Sequence, residues 1–231
     1  MPDTGMPETG MPDTGMSGGA PAPLADEPAP VDVISSEVVF DGYVWDVRRE
    51  AFEYGGETLR RDFVDHTGAV AIFALDDDDR VLLIKQYRHP VRRREWEPPA
   101  GLLDVAEESP LEAAKRELAE EVDLEADDWH VLSDYVTTPG GNNEAIRVYL
   151  ARGLTDTDAF AREDEEADIE KRWVPLDEAL DAIVARRVQN PSLVVAVYAA
   201  FVARSRGWST LAPADAPWPQ REALRSFRQS S

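Results

Sequence analysis

The segment Ser109–Val122 constrains the fold most. Ser109 suits an N-cap, Pro110 the first helical position, and Glu112 the third residue of a capping box. Leu111, Ala114, Leu118 and Val122 recur at intervals of three or four, which predicts one amphipathic helix over 110–122. The chain on either side reads differently. Short β-branched and aromatic runs precede it at 37–47, 49–54 and 58–64, with a turn at Gly55-Gly56. Two more strands, 68–75 and 80–87, flank the polar turn Asp76–Asp79. No calcium-loop spacing follows those four acids, so they read as a solvated turn. After the helix come strands near 129–137 and 144–151, an acidic loop at about 155–168, a short strand ending at Trp173-Val174, and helices at 176–187 and 191–205. A short basic helix is predicted near 220–228. Strands, a helix, strands again and then helices, without regular βαβ alternation, give an α/β chain of α+β type.

The ends are different in kind. The chain opens on the repeats MPDTG, MPETG and MPDTG, and residues 1–34 hold six acids and no Lys or Arg. This Pro- and Gly-rich stretch has little to bury and is predicted to be a disordered tail. The expected organisation is therefore a tail at 1–34, N-terminal strands at 35–64, a main domain at 65–206 and a C-terminal tail at 207–231.

Composition excludes several functions. A net charge of −22 argues against a cationic nucleic-acid footprint. The absence of cysteine excludes disulfides, thiolate metal sites and a cysteine nucleophile. No apolar run approaches the ~18 residues of a membrane span, and no secretion signal is legible, so a cytoplasmic protein is expected. There is no G-x-S-x-G elbow and no GKS or GKT phosphate loop. His66, His89 and His130 lack metal-ligand spacing and read as structural.

On the predicted helix, Glu117, Glu120 and Glu121 stand at i, i+3 and i+4 and share one face. Like charges so placed repel mildly, and a hard divalent cation converts the repulsion into attraction. Arg116 adjoins them, with a guanidinium suited to orienting a carboxylate. Taken alone, the pattern fits either a cation site or a solvated acidic face.

The whole segment 101–124 resembles the Nudix box, G-x5-E-x7-R-E-U-x-E-E-x-G-U with U apolar. Gly101, Arg116, Glu117, Leu118, Glu120, Glu121 and Leu124 match. Two departures stand out. The stretch from Gly101 to Arg116 is one residue too long, so the early acid is Glu107 or Glu108, and Glu108 keeps seven residues before Arg116. Asp123 occupies the position of the motif glycine, and Asp tolerates the left-handed backbone that a helix end often needs.

Further stretches resemble the ADP-ribose pyrophosphatase branch of that family: Gln86–Pro90, Glu95–Asp104, Arg61-Asp62 before His66–Val70, Pro139 fifteen residues beyond Leu124, and Asn143–Leu150. The resemblance spans about 38–203. It implies a Nudix-like α/β/α sandwich with a mixed sheet, preceded by antiparallel strands. It also implies hydrolysis of ADP-ribose to AMP and ribose 5-phosphate with Mg²⁺, or Mn²⁺ in its place. Glu117, Glu121, Glu120 and the Ala100 carbonyl are the implied metal ligands. Arg116 and Glu120 belong to the catalytic set, and Glu165 or Glu166 is the implied base. Arg61, Arg88, Glu97, Glu144 and Trp45 are the implied substrate contacts. Trp45 and Phe52 are candidates for an aromatic stacked on adenine, a core aromatic being the other reading of each. The N-terminal strands resemble a swapped interface segment, which implies a homodimer. Two other readings are a Nudix hydrolase of another nucleoside diphosphate derivative and a Nudix module that binds ADP-ribose without cleaving it.

Overall fold

The computed structural model describes residues 23–158 and 169–229, with side chains described through Leu224. Its elements, in chain order, are β1 (Val33–Phe40), β2 (Asp46–Tyr54), β3 (Glu57–Asp65), β4 (Ala69–Ala74), β5 (Arg80–Arg88), β6 (Arg93–Glu97), β7 (Ala100–Leu102), α1 (Pro110–Val122), β8 (Leu124–Val136), β9 (Ala145–Asp156), β10 (Glu170–Pro175), α2 (Leu176–Val184), α3 (Pro191–Ser205), β11 (Ala212–Pro213) and α4 (Pro219–Gln229).

Three sheets result. β1-β2-β3 is an antiparallel meander, β10-β5-β6 a second antiparallel sheet, and β11-β8-β9-β4-β7 a mixed sheet in which only β4 and β9 run parallel. β4 explains the layering. All six of its residues are buried. Ala71 and Phe73 pack with Leu193, Ala196, Val197 and Ala200 of α3 and Ala179 and Ile183 of α2. Val70, Ile72 and Ala74 pack with Ala113, Ala114, Leu118 and Val122 of α1. A strand alternates its side chains between faces, so an unbroken apolar run is the signature of a sheet covered on both sides. The result is the α/β/α sandwich that the sequence implies.

The structure refines several boundaries. The predicted strand 37–47 is two strands, because Asp41-Gly42 is itself a turn signal. A Cβ at Gly42 would lie 2.0 Å from the Trp45 carbonyl oxygen, which fixes a tight bend there. β1 also begins at Val33, inside the stretch read as tail, and Glu53 N–H donates to the Asp32 carbonyl at 3.0 Å. At Gly55 and Gly56, φ is +61° and +84°, and Tyr54 pairs with Glu57 across them, as the expected two-residue hairpin requires. β6 and β7 emerge from a run to which no strand is assigned by sequence. Pro98-Pro99 divides them and passes the chain from one sheet to the next, since proline cannot continue a ladder.

The C-terminal stretch read as a tail from 207 departs most from expectation. β11 pairs with His130 and Val131 of β8, and Trp218 is 4% exposed in the core on the α1 side. Arg147 anchors this strap. Its guanidinium donates twice to Asp134 at 2.8 Å and to the carbonyls of Ala216 and Pro217 at 2.7 and 3.2 Å, and lies 4.8 Å from the Trp218 ring centre. Buried backbone carbonyls need donors, and a buried guanidinium supplies several at once. Among the described residues no helix is long and apolar enough to cross a membrane.

Candidate active site

The site is built where α1 lies against β7. Ser109 Oγ accepts from Glu112 N–H at 3.2 Å, and Pro110 sits in the first turn. The box is only half made, since the Glu112 carboxylate accepts from Lys115. At the far end Asp123 adopts φ 61°, ψ 42°, and its N–H donates to the Ala119 carbonyl at 3.0 Å. Both ends of α1 are thereby set, and the Glu117–Glu121 face has one rotational position.

Glu117 and Glu121 meet neighbouring residues of β7. Glu121 is 5% exposed, and its Oε2 accepts from Ala100 N–H at 2.9 Å. Glu117 passes over Gly101 so closely that a Cβ there would lie 2.0 Å from both Cδ and Oε1 of its carboxylate. Gly101 is therefore a steric opening for Glu117. Glu120, with its side chain 45% exposed, points further into solvent.

Arg116 gathers the acids. It donates to both oxygens of Glu108 at 2.9 and 3.0 Å, to Glu117 Oε1 at 2.6 Å and to Glu120 Oε2 at 3.1 Å. The Glu108 hydrogen bonds do most to push the guanidinium up from its already high value, outweighing its partial burial, and Arg116 in turn holds Glu108 below the usual carboxylate range. Glu108, rather than Glu107, is thus the acid in contact with Arg116. The extra residue is absorbed just before it, where Glu107 takes a left-handed φ of 64°.

Three carboxylates around one guanidinium, with Glu121 on the same helix face, leave an excess of acid there. Among the described residues, no three acidic or histidine groups stand gathered as a ready-made ion cage. The reason is visible: Glu117 is turned onto Arg116 and Glu121 onto the β7 backbone. The donor chemistry nonetheless fits a hard divalent cation, because every side chain offered is an oxygen ligand and Gly101 leaves Glu117 room over β7.

The other residues singled out by sequence fall into separate groups. Glu97 is 3% exposed, not a surface carboxylate. Arg88 donates to both its oxygens at 2.9–3.2 Å, and Asn190 Nδ2 donates to its Oε2 at 2.8 Å. Burial pushes the Glu97 carboxyl up, against the opposing pull of Arg88. Both residues are thus engaged with each other, with the Arg88 side chain still 41% exposed. Asn190, which also caps α3 through Leu193 N–H at 3.1 Å, is absent from the sequence reading; Asn before Pro at a helix start is the signal that marks it.

Glu144 accepts from Thr137 Oγ1 at 2.8 Å and pairs with His66 Nε2 at 3.1 Å. Trp45 stacks on the His66 ring, 3.9 Å between centres and 21° between planes. Within this chain one face of the Trp45 ring is therefore taken by an imidazole. Arg61 is exposed on β3, where its Nη1 donates to the Arg60 carbonyl. Phe52 is half-buried on β2. Glu165 and Glu166 lie outside the described residues.

The fold and the carboxylate helix define a hydrolase class, and comparison with known proteins gives it a family. The NUDIX domain family matches residues 65–192, and the chain belongs to the Nudix family. It is 40% identical to an ADP-ribose pyrophosphatase of Mycobacterium tuberculosis over 200 residues, covering 86% of this chain and 96% of that protein. It is 34% identical to an ADP-ribose pyrophosphatase of Bacillus subtilis over 165 residues, covering 71% and 89%. A crystal structure described as an ADP compounds hydrolase superposes with a TM-score of 0.66 at 22% identity, covering 80% of this chain and all of that one, which is a likeness of fold.

Proposed function

We propose that this chain hydrolyses the pyrophosphate bond of ADP-ribose, giving AMP and ribose 5-phosphate, with Mg²⁺ as its metal and Mn²⁺ as a substitute. One observation carries the reading: Glu117 and Glu121 are brought onto the backbone of Ala100 and Gly101 by a capped helix, with Arg116 and Glu120 beside them. The relatives supply the substrate, since two of them are ADP-ribose pyrophosphatases alike over most of this chain.

In this mechanism Glu117, Glu121, Glu120 and the Ala100 carbonyl would hold the cation. When bound, the metal neutralises the diphosphate and lowers the pKa of the attacking water. Arg116 orients the carboxylates. A water oxygen bonds to one phosphorus, the bridging P–O bond breaks, and the departing phosphate oxygen keeps the electron pair. Glu165 or Glu166 takes the water's proton. Arg88 and Arg61 are assigned to phosphate or ribose, where a guanidinium fork suits phosphate oxygens. Glu97, Glu144 and Trp45 complete the substrate contacts, with Glu97 and Trp45 on the adenine.

A panel of nucleoside diphosphate derivatives, assayed with Mg²⁺ and with product identification, tests this. The expected result is fastest turnover of ADP-ribose to AMP and ribose 5-phosphate, abolished by EDTA and restored by Mg²⁺. Slow AMP release beside rapid cleavage of a nucleotide sugar or dinucleoside polyphosphate overturns the substrate.

The proposal includes a homodimer. Ile34, Val38, Val39 and Phe40 form an exposed apolar row along β1, the outer strand of its sheet, and Tyr54 is exposed on the neighbouring strand. Such a row on a narrow sheet favours a partner. Size-exclusion with light scattering should give about twice the chain mass of 25.7 kDa. A monomer at micromolar concentration contradicts this.

A further inference from the structure

Asn190 performs two tasks with one amide. Its Oδ1 accepts from Leu193 N–H at 3.1 Å and caps α3, which turns Nδ2 onto Glu97 Oε2 at 2.8 Å. The second contact is buried and joins positions 93 apart in sequence. Asp and Ser cap a helix as well as Asn does, but neither carries a separate donor for a carboxylate. Capping alone therefore leaves the choice of Asn unexplained.

The carboxylate it meets is a hub. Glu97 is buried, and the side chain of Gln86 also hydrogen-bonds to it, so β5, β6 and α3 converge on one group. What Glu97 holds is Arg88, through Nε and Nη2 at 2.9–3.2 Å. That edge uses two of the five guanidinium donors and leaves three for another partner, with the Arg88 side chain 41% exposed. Glu97 also stands three residues before Ala100, whose N–H donates to Glu121. Between them Pro98 and Pro99 are buried and have fixed φ, and the Pro99 carbonyl accepts from Ile72 N–H at 2.8 Å. A guanidinium seated on Glu97 is thus registered against the carboxylate face of α1.

We infer that Asn190 is a positioning residue that, by holding Glu97, fixes the fork of Arg88 for the substrate. This rests on the reading of Arg88 as a contact to phosphate or ribose. A guanidinium already held in place loses little freedom when it meets a substrate oxygen, whereas a loose one must be ordered at the expense of binding. The effect therefore falls on substrate affinity more than on the chemical step.

The test uses Asn190→Ser, Asn190→Thr, Arg88→Met and the double variant Asn190→Ser with Arg88→Met, all in the full chain. Ser and Thr keep a cap oxygen for Leu193 N–H and remove Nδ2. Each should raise KM for ADP-ribose about tenfold and leave kcat within about twofold. Arg88→Met should raise KM at least as much. In that background Asn190→Ser should add nothing, because the group it aims is gone. Wild-type KM in both Asn190 variants overturns the inference. So does a fall in kcat without a rise in KM, or a further rise in KM in the double variant. Arg88→Met separates the two levels. If it keeps wild-type KM, the reading of Arg88 fails and the positioning role falls with it. If it raises KM while both Asn190 variants stay at the wild-type value, the positioning role alone fails.

Discussion

Glu121→Gln should lower kcat for ADP-ribose by about a thousandfold or more, equivalent to ~4 kcal/mol of lost transition-state stabilisation. Glutamine has nearly the same shape, and its carbonyl oxygen can still accept from Ala100 N–H, so the link from α1 to β7 survives. What disappears is the charge. A carboxylate 5% exposed among other acids is costly without a cation and valuable with one. The variant should therefore melt at or above the wild-type temperature in EDTA. Added Mg²⁺ should raise the wild-type Tm and leave that of the variant nearly unmoved, because only a state that binds the ion is stabilised by it. Thermal melts with and without Mg²⁺, beside steady-state kinetics, measure both effects. Wild-type turnover by Glu121→Gln would reject the metal assignment.

Gly101→Ala should lower kcat by about a hundredfold while costing only ~1 kcal/mol of stability. The added methyl lies 2.0 Å from the Cδ and Oε1 atoms of Glu117 and 2.2 Å from its Cγ. These are atoms of a side chain that can rotate away, so the fold has a cheap escape from the clash. That escape removes Glu117 from β7. The separation of a large kinetic loss from a small thermodynamic one distinguishes a steric opening for a ligand from an ordinary packing glycine. Full activity in the alanine variant would show that Glu117 need not lie against Gly101.

Some of this architecture is legible in short windows of sequence. α1 is, because Ser109 and Pro110 mark its start and its apolar residues keep helical spacing over three turns. β4 is as well, since a strand buried on both faces must be apolar throughout. The triad of Glu117, Glu120 and Glu121 follows from the helical repeat alone. Other features fail for identifiable reasons. The break between β1 and β2 lay in Asp41-Gly42, a turn signal hidden inside an aromatic run. The short strands β6 and β7 are masked by the two prolines between them. Glu97 has the composition of a surface residue, and only the convergence of Arg88 and Asn190 accounts for its burial.

The strap anchored by Arg147 and the hold of Asn190 on Glu97 mark the limit of local reading. Arg147 reaches Ala216 and Pro217 across 69 and 70 positions, and nothing near residue 216 announces a buried guanidinium waiting for its carbonyl. Periodicity, caps and turn residues act over a few positions, through backbone geometry and neighbouring side chains. They settled α1, β4, the shared face of the three carboxylates and the family motif. Which strand the helix meets, which acid Arg116 holds, and what Asn190 holds besides its cap depend on groups distant in sequence becoming neighbours. Only the packed chain excludes enough water to make those neighbours matter.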